Sequence, residues 1–80
     1  MPKSPVVSGF RLVKVLKSLG YTVLRQRGSH VQMGKNTAAG EHRITIPLHE
    51  EIAKGTLNDI VTRVPDWNCI TKEDLFDMLR

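Results

Sequence analysis

Two shortages in the sequence narrow the class of protein: there is one cysteine, and there is no long apolar run. Cys69 is the single cysteine among 80 residues, so the chain can form no internal disulfide, which fits a reducing cytoplasm. No apolar stretch approaches the roughly 20 residues that a membrane-spanning helix needs. Residues 1–5 lead into no hydrophobic signal core. We therefore expect a cytoplasmic protein that contacts no membrane.

Acidic residues are missing from the first half of the chain. Residues 1–40 carry a net charge of +7 and residues 41–80 carry −3, which leaves the whole chain at +4. A cationic surface attracts a polyanion and speeds its encounter with the protein. Nucleic acid is therefore a candidate partner, although a basic balance also keeps small proteins soluble.

The overall composition is that of an ordinary globular protein. Hydrophobic residues make up 40% of the chain and charged residues 25%. A chain of 80 residues is long enough for one small hydrophobic core. We expect residues 1–80 to form a single domain.

Hydrophobic spacing predicts a first helix over residues 9–19. Its apolar arc consists of Leu12, Val15, Leu16 and Leu19. Ser8 is the expected N-cap, and Gly20 stands where a left-handed C-terminal residue belongs. Lys14 and Lys17 lie on the opposite side, together with Arg11. A solvated helix face is the commoner meaning of such a stripe, and phosphate contact is the functional one.

Three strands are predicted next, over residues 21–27, 29–33 and 43–47. Residues 34–42 have loop composition and are expected to form a mobile connection. Alternation in the second strand places His30 and Gln32 on one face and Val31 and Met33 on the other.

Two helices complete the predicted order. One begins at Thr56, where Thr56 to Asp59 resembles a capping box, and stops at Pro65. A short last helix follows Thr71. Three strands joined by hairpins expose an apolar face that helices must cover. The predicted fold is therefore α+β, a two-layer α-β-β-β-α sandwich with a three-stranded antiparallel sheet and helices on one face.

His30 is the candidate catalytic group. It follows Gly28 and Ser29 at the start of a strand, where a tight turn fixes its direction, and it lies downstream of Arg25 and Arg27. An imidazole has an unperturbed pKa of about 6.5, so it can move a proton near neutral pH. Cations around it suit a phosphodiester substrate.

A zinc site is the competing interpretation. His42, His49 and Cys69 could supply three ligands, but the sequence has no close ligand pair such as CxxC or HxxxH. We expect neither a metal nor another cofactor. Cys69 is expected to be a small buried hydrophobe and His42 a surface residue.

Five segments in a fixed order carry a family resemblance. They are Ser8-Gly9, LKSLGY at 16–21, RQRGSH at 25–30, IPLH at 46–49 and KGTLNDI at 54–60. Together they resemble the HicA toxins, also called the YcfA-like family, from Ser8 to about Leu75. No single segment is decisive, because Gly-Ser-His occurs by chance in many proteins. The ordered set in a chain of this length is specific.

The resemblance implies a fold, an activity and a partner. HicA toxins have the double-stranded-RNA-binding-domain fold and act as ribonucleases on messenger RNA. The histidine of their Gly-Ser-His motif is catalytic, and here it is His30. A HicB-like antitoxin binds the toxin and blocks that site. The resemblance therefore implies a toxin of a type II toxin–antitoxin system.

The expected mechanism is metal-free transesterification, in which a 2′-hydroxyl attacks the neighbouring phosphate. His30 is the base or acid, and His49 is a second imidazole that could touch RNA or assist proton transfer. The other candidate RNA-binding residues are Arg25, Arg27, Gly28, Ser29, Lys35, Lys14 and Lys17.

Two other classes of function remain open. A non-catalytic double-stranded RNA-binding domain would share the fold and the charge, but such domains carry a lysine cluster where the last main helix begins. From Thr56 onward the chain has no lysine or arginine until Arg63, which argues against this alternative. A purely structural partner of another protein is the third interpretation, and it predicts that His30 is replaceable.

Overall fold

A computed structural model describes residues 6–80 and shows three helices and three strands. In chain order they are α1 (Gly9–Ser18), β1 (Thr22–Arg27), β2 (His30–Thr37), β3 (Gly40–Pro47), α2 (Lys54–Asn68) and α3 (Lys72–Leu79). The strands form one antiparallel sheet in the order β1-β2-β3, and the helices cover one face of it. The predicted two-layer α+β architecture is confirmed.

The first helix begins and ends as its sequence predicts. The Ser8 hydroxyl accepts a hydrogen bond from the Arg11 amide at 3.1 Å, which satisfies one free donor of the first turn. Gly20 has a φ of +100°, a conformation that glycine adopts without strain. This turn reverses the chain and directs it into β1.

The β2–β3 hairpin is longer than predicted, and the expected mobile loop over residues 34–42 is wrong. Pairing continues to Thr37 opposite Gly40, so only Ala38 and Ala39 form the turn. The Thr37 hydroxyl donates to the Gly40 carbonyl at 2.8 Å and accepts from the Ala39 amide at 3.1 Å. These turn contacts and the ladder bonds outweigh the weak strand preference of the intervening residues.

The predicted limits of α2 are wrong at both ends. The helix begins at Lys54 after an N-cap, Ala53, that makes no side-chain cap bond. Thr56 therefore lies inside the first turn, and the Asp59 carboxylate bonds Arg63 at 2.8 Å instead of closing a capping box. The helix therefore begins where its packing requires, and not at the residue with the best capping side chain.

Pro65 does not end α2, which continues to Asn68. The proline lacks an amide donor, but it is buried in the helical layer, and the Asn68 side-chain amide donates to the Val64 carbonyl at 2.7 Å. Cys69 closes the helix with a φ of +55°. Its side chain is exposed, so the expectation of a buried cysteine is wrong, because Cys69 closes the helix and lies outside its buried stripe.

The last helix forms as predicted. Thr71 and Asp74 make a reciprocal capping box at its start, with bonds of 3.0 and 3.1 Å. Within residues 6–80, no helix is long and apolar enough to cross a membrane.

The two faces of the sheet differ as the alternation predicts. Val31, Met33 and Ile46 point into the core, where they meet Leu12, Leu16, Ile60, Val61, Val64 and Leu75 from the helices. His30 is exposed and Gln32 half-buried on the other face, which no helix covers. The candidate site lies on this open face.

Candidate active site

A shallow pocket of about 190 Å³ on the open face brings the main candidates together. Its lining residues are Arg25, Arg27, His30, Gln32 and Thr45. They come from three neighbouring strands, because Arg27 pairs with His30 and Arg25 pairs with Gln32, which in turn pairs with Thr45. Neighbouring strands therefore place both arginine residues beside His30.

A bulge in β1 places the arginines in this pocket. Val23 pairs with the core-facing Met33, so regular alternation would turn Arg25 towards the helices as well. The register shifts between Val23 and Arg25, which gives Arg25 and Arg27 to the open face. The extra residue, Leu24, lies over Gly34, where an added Cβ would stand 2.6 Å from its Cδ1 atom. No pattern in the sequence indicates this bulge.

The Gly28-Ser29 turn fixes the start of β2. Gly28 has a φ of +55°, and its carbonyl accepts a bond from the Gln26 side-chain amide at 3.2 Å. The Ser29 carbonyl accepts from the Leu48 amide at 2.6 Å. The first bond is local to the turn, and the second joins the turn to the segment that follows β3 and carries His49.

His49 is the second imidazole of the site. Its ring centroid lies 6.4 Å from that of His30, with the two planes at 71°. The His49 carbonyl accepts a hydrogen bond from the Gly9 amide at 2.8 Å. A Cβ on Gly9 would stand 2.0 Å from the Pro47 carbonyl oxygen, so only glycine permits this approach. The beginning of α1 thus holds His49 next to His30.

The charge of the pocket is positive. Arg25 and Arg27 are exposed, and no carboxylate belongs to the lining. The ion pairs found among residues 6–80 are elsewhere: Arg43 with Glu41, Arg63 with Asp59, and Arg80 with Asp77. Both pocket arginines therefore keep their charge available for an anion.

A larger cleft of about 540 Å³ lies between β3 and α2; it shares Thr45 with the pocket, but His30 does not line it. It contains Arg43 and Arg63, but each is paired with an acidic neighbour, Glu41 or Asp59, at 2.8 Å. An anion entering this cleft would have to compete with those carboxylates. Size alone therefore does not make it the better phosphate site.

The three lysines predicted to bind RNA lie outside the pocket. Lys35 is on the helical side of β2, where its ammonium donates to the Asn68 side chain at 2.5 Å and lies 5.9 Å from the centre of the Tyr21 ring. It is five positions from His30, so alternation puts it on the other face. Lys14 and Lys17 are exposed on α1. The structure does not bring any of them to His30.

His42 is buried, so its expected surface position is wrong. It is only 5% exposed and stacks on Trp67 with ring centroids 4.9 Å apart. Because β3 extends back to Gly40, His42 occupies a core-facing strand position. The loop-like composition of this segment did not indicate a strand. Its Nδ1 atom lies 2.6 Å from the Tyr21 hydroxyl, which accepts from the Asn68 side-chain amide at 2.9 Å.

The surroundings of His42 favour its neutral form. The Tyr21 hydroxyl can donate its proton to Nδ1 of a neutral ring that carries its own proton on Nε2. Burial lowers the pKa of His42, and the nearby charge of Arg63 lowers it further. Burial likewise raises the pKa of Tyr21, against a smaller opposing effect of the Asn68 hydrogen bond.

The residues suggested as zinc ligands do not form a cluster. Among residues 6–80, no group of three or more histidine, cysteine or acidic side chains is arranged to hold a metal ion. His42 is committed to Tyr21, and Cys69 lies exposed at the end of α2.

The comparisons with known proteins identify a family. No match was found among curated proteins or among solved structures. A sequence profile described as the HicA toxin of bacterial toxin–antitoxin matches residues 10–64, which is more than half of the chain. That span includes the Gly28-Ser29 turn, His30, His49 and both pocket arginines. The chain therefore belongs to the HicA toxin family.

Proposed function

We propose that this protein is a metal-independent endoribonuclease that cleaves messenger RNA, with His30 as its catalytic residue. The observation that supports this most is the pocket, in which an exposed imidazole lies beside two arginines that form no ion pair within residues 6–80. An imidazole can transfer a proton near neutral pH, and the arginines can bind the phosphodiester that it acts on. Family membership supports the same assignment.

The proposed reaction is an intramolecular transesterification. The ribose 2′-oxygen forms a bond to phosphorus as the bond between phosphorus and the 5′-oxygen breaks. A base takes the proton of the 2′-hydroxyl, and an acid gives a proton to the leaving 5′-oxygen. Proton transfer by one positioned side chain contributes about 10²- to 10⁴-fold to the rate. His30 takes one of these two roles.

His49 is the natural holder of the other role. With ring centroids 6.4 Å apart, the two imidazoles can reach different oxygens of one phosphate. The backbone bonds from Gly9 to His49 and from Leu48 to Ser29 preserve that spacing. A pair of histidines therefore supplies both a proton acceptor and a proton donor without a metal ion.

The arginines stabilise the charge that develops on the phosphate. Arg25 and Arg27 lie on the strand next to His30, and each guanidinium can bind two phosphate oxygens. Preorganised cations aimed at the transition state act without reorganising during the reaction. The amides of Gly28 and Ser29 are further donors for a phosphate oxygen.

The proposed partner of the toxin is a HicB-like antitoxin protein that covers this pocket. A positive, exposed site favours a partner that presents carboxylates to the arginines. The cell compartment that we propose is the cytoplasm, where messenger RNA and antitoxin are both present.

The alternative, a binding domain without catalysis, is less well supported. α2 opens with a single lysine, Lys54, and its next basic residue is Arg63. A lysine cluster at this helix start is therefore lacking. RNA binding without catalysis also does not explain why two imidazoles lie next to each other at the site.

The proposal is tested by the ends that cleavage produces. Pure protein is incubated with RNA in excess chelator, and the products are analysed by mass spectrometry. Transesterification leaves a 2′,3′-cyclic phosphate and a 5′-hydroxyl, and a 2′-deoxy sugar at the cleavage position blocks it. Cleavage that requires added metal, or that leaves 5′-phosphates, contradicts the mechanism. Absence of cleavage contradicts the assigned function.

A further inference from the structure

Phe10 is an exposed aromatic ring that neither the fold nor the proposed chemistry uses. It is 66% exposed, whereas the other phenylalanine, tyrosine and tryptophan side chains of residues 6–80 are buried or half-buried. It lies in the first turn of α1, whose apolar arc points into the core on the other side of the helix. Removing this ring would therefore cost the core little.

The backbone connects Phe10 to the segment that carries His49. Its chain neighbour Gly9 donates a hydrogen bond to the His49 carbonyl at 2.8 Å. The His49 ring lies 6.4 Å from the His30 ring. Consecutive Cα atoms are about 3.8 Å apart, so Phe10 is one residue away from a direct contact with the segment that carries His49. The ring therefore lies near that segment and outside the lining of the pocket.

The same face of α1 is cationic. Phe10, Lys14 and Lys17 are spaced i, i+4 and i+7, so they line one exposed stripe of the helix. The helix contains no acidic residue, and no carboxylate of residues 6–80 pairs with either lysine. Arg11 does not belong to the stripe, because its guanidinium donates to the Arg80 carbonyl at 2.9 Å.

We propose that Phe10 is a stacking platform for an RNA base outside the cleavage pocket, and that Lys14 and Lys17 bind the phosphates next to that base. Aromatic rings beside a cationic track bind single-stranded nucleic acid, because every base has a face that can stack. A protein partner would be expected to meet a broader apolar surface than one ring flanked by lysines. This inference rests on the proposed function and identifies unpaired RNA as the substrate form.

The test measures the affinity for a short single-stranded RNA of mixed sequence whose riboses are 2′-O-methylated, so that it stays intact. Phe10→Ala and Phe10→Leu are each expected to weaken binding at least about fivefold, since one stacked base contributes about that much or more. Phe10→Trp is expected to bind as tightly as the parent or more tightly. The leucine variant keeps apolar volume, so it separates stacking from simple hydrophobic contact.

A second measurement locates the stacked base. The RNA is remade with one abasic nucleotide at each position in turn. When the abasic nucleotide is at the position that Phe10 contacts, the parent and Phe10→Ala are expected to bind the RNA with equal affinity. With the abasic nucleotide at any other position, the parent is expected to bind more tightly than Phe10→Ala. Thermal melts of all variants are expected to match the parent.

The outcomes separate this inference from the function on which it rests. If the parent cleaves RNA and Phe10→Ala binds and cleaves as the parent does, the stacking platform is wrong and the nuclease assignment stands; the ring would then serve a protein partner. If the loss persists with every abasic RNA, or if Phe10→Leu binds as the parent does, stacking is also excluded. If the parent neither binds nor cleaves RNA, both proposals fail.

Discussion

Gly9 is a single residue on which the position of His49 depends. Its amide bonds the His49 carbonyl, and its missing side chain leaves room for the Pro47 carbonyl oxygen. The sequence marked Gly9 only as the start of a helix. Its role in the site follows from a close approach between segments that are 38 positions or more apart, and no local pattern reports such an approach.

Replacing Gly9 with alanine tests this packing. The new Cβ would stand 2.0 Å from backbone that cannot easily move, so we expect a loss of about 3 kcal/mol in the free energy of unfolding. Urea titration followed by circular dichroism measures it. Gly55→Ala is the matched control, because its Cβ meets no atom within 4 Å in the first turn of α2. That change is expected to stabilise the protein by about 0.5–1 kcal/mol. Equal stabilities of the two variants would contradict the packing described.

Among the elements, β2 and β3 show best what sequence patterns can and cannot predict. Alternation correctly separated His30 and Gln32 from Val31 and Met33, because burial on one face imposes a period of two. The far half of the hairpin was missed, since its residues are polar and small and its pairing depends on the partner strand. The buried position of His42 was missed for the same reason. The bulge in β1 cannot be recognised from the periodicity of the sequence, yet it determines that the two pocket arginines lie on the open face.

The contact of β3 with α2 through His42 predicts a pH dependence of stability. Burial and Arg63 lower the pKa of His42 in the folded state, whereas an unfolded histidine has a pKa of about 6.5. The unfolded chain therefore binds the proton first as the pH falls. The contribution of neutral His42 to the free energy of unfolding is complete above about pH 6.5 and is lost progressively below it.

Denaturant titrations between about pH 8 and 5.5, which bracket the unfolded pKa of histidine, measure this effect. The free energy of unfolding of the parent is expected to fall over this range, and that of His42→Gln to fall less. The glutamine side chain of that variant can still accept from the Tyr21 hydroxyl, but it does not titrate. Parallel curves for the two proteins would show that His42 is not the group responsible.

At the scale of the whole molecule, the total charge and its placement are separate properties. The sequence correctly located an excess of positive charge in residues 1–40, but the fold distributes it over different surfaces. Arg25 and Arg27 reach the pocket, Lys14 and Lys17 lie on α1, and Lys35 turns to the helical layer. Composition therefore makes a polyanion a candidate partner, and only the register of the strands decides which cations lie beside the candidate catalytic imidazole.

The salt dependence of RNA binding tests this placement of charge. Binding is measured from low to physiological salt with the same 2′-O-methyl RNA. Each phosphate contact to a single strand contributes about 0.7 to the slope of log K against log salt. Arg27→Ala is expected to reduce the slope by about that amount. Lys72→Ala, on the exposed surface of α3, is expected to leave it unchanged. A slope that responds equally to both changes would place the RNA elsewhere.

The rate of RNA cleavage by His30→Ala in excess chelator tests the account most directly. A substitution on an exposed side chain should preserve the melting temperature, so a lost rate reports on chemistry. The rate constant is expected to fall by about 10²-fold or more relative to the parent, with Lys72→Ala cleaving at the parental rate. A folded His30→Ala protein that degrades RNA as fast as the parent would contradict the account.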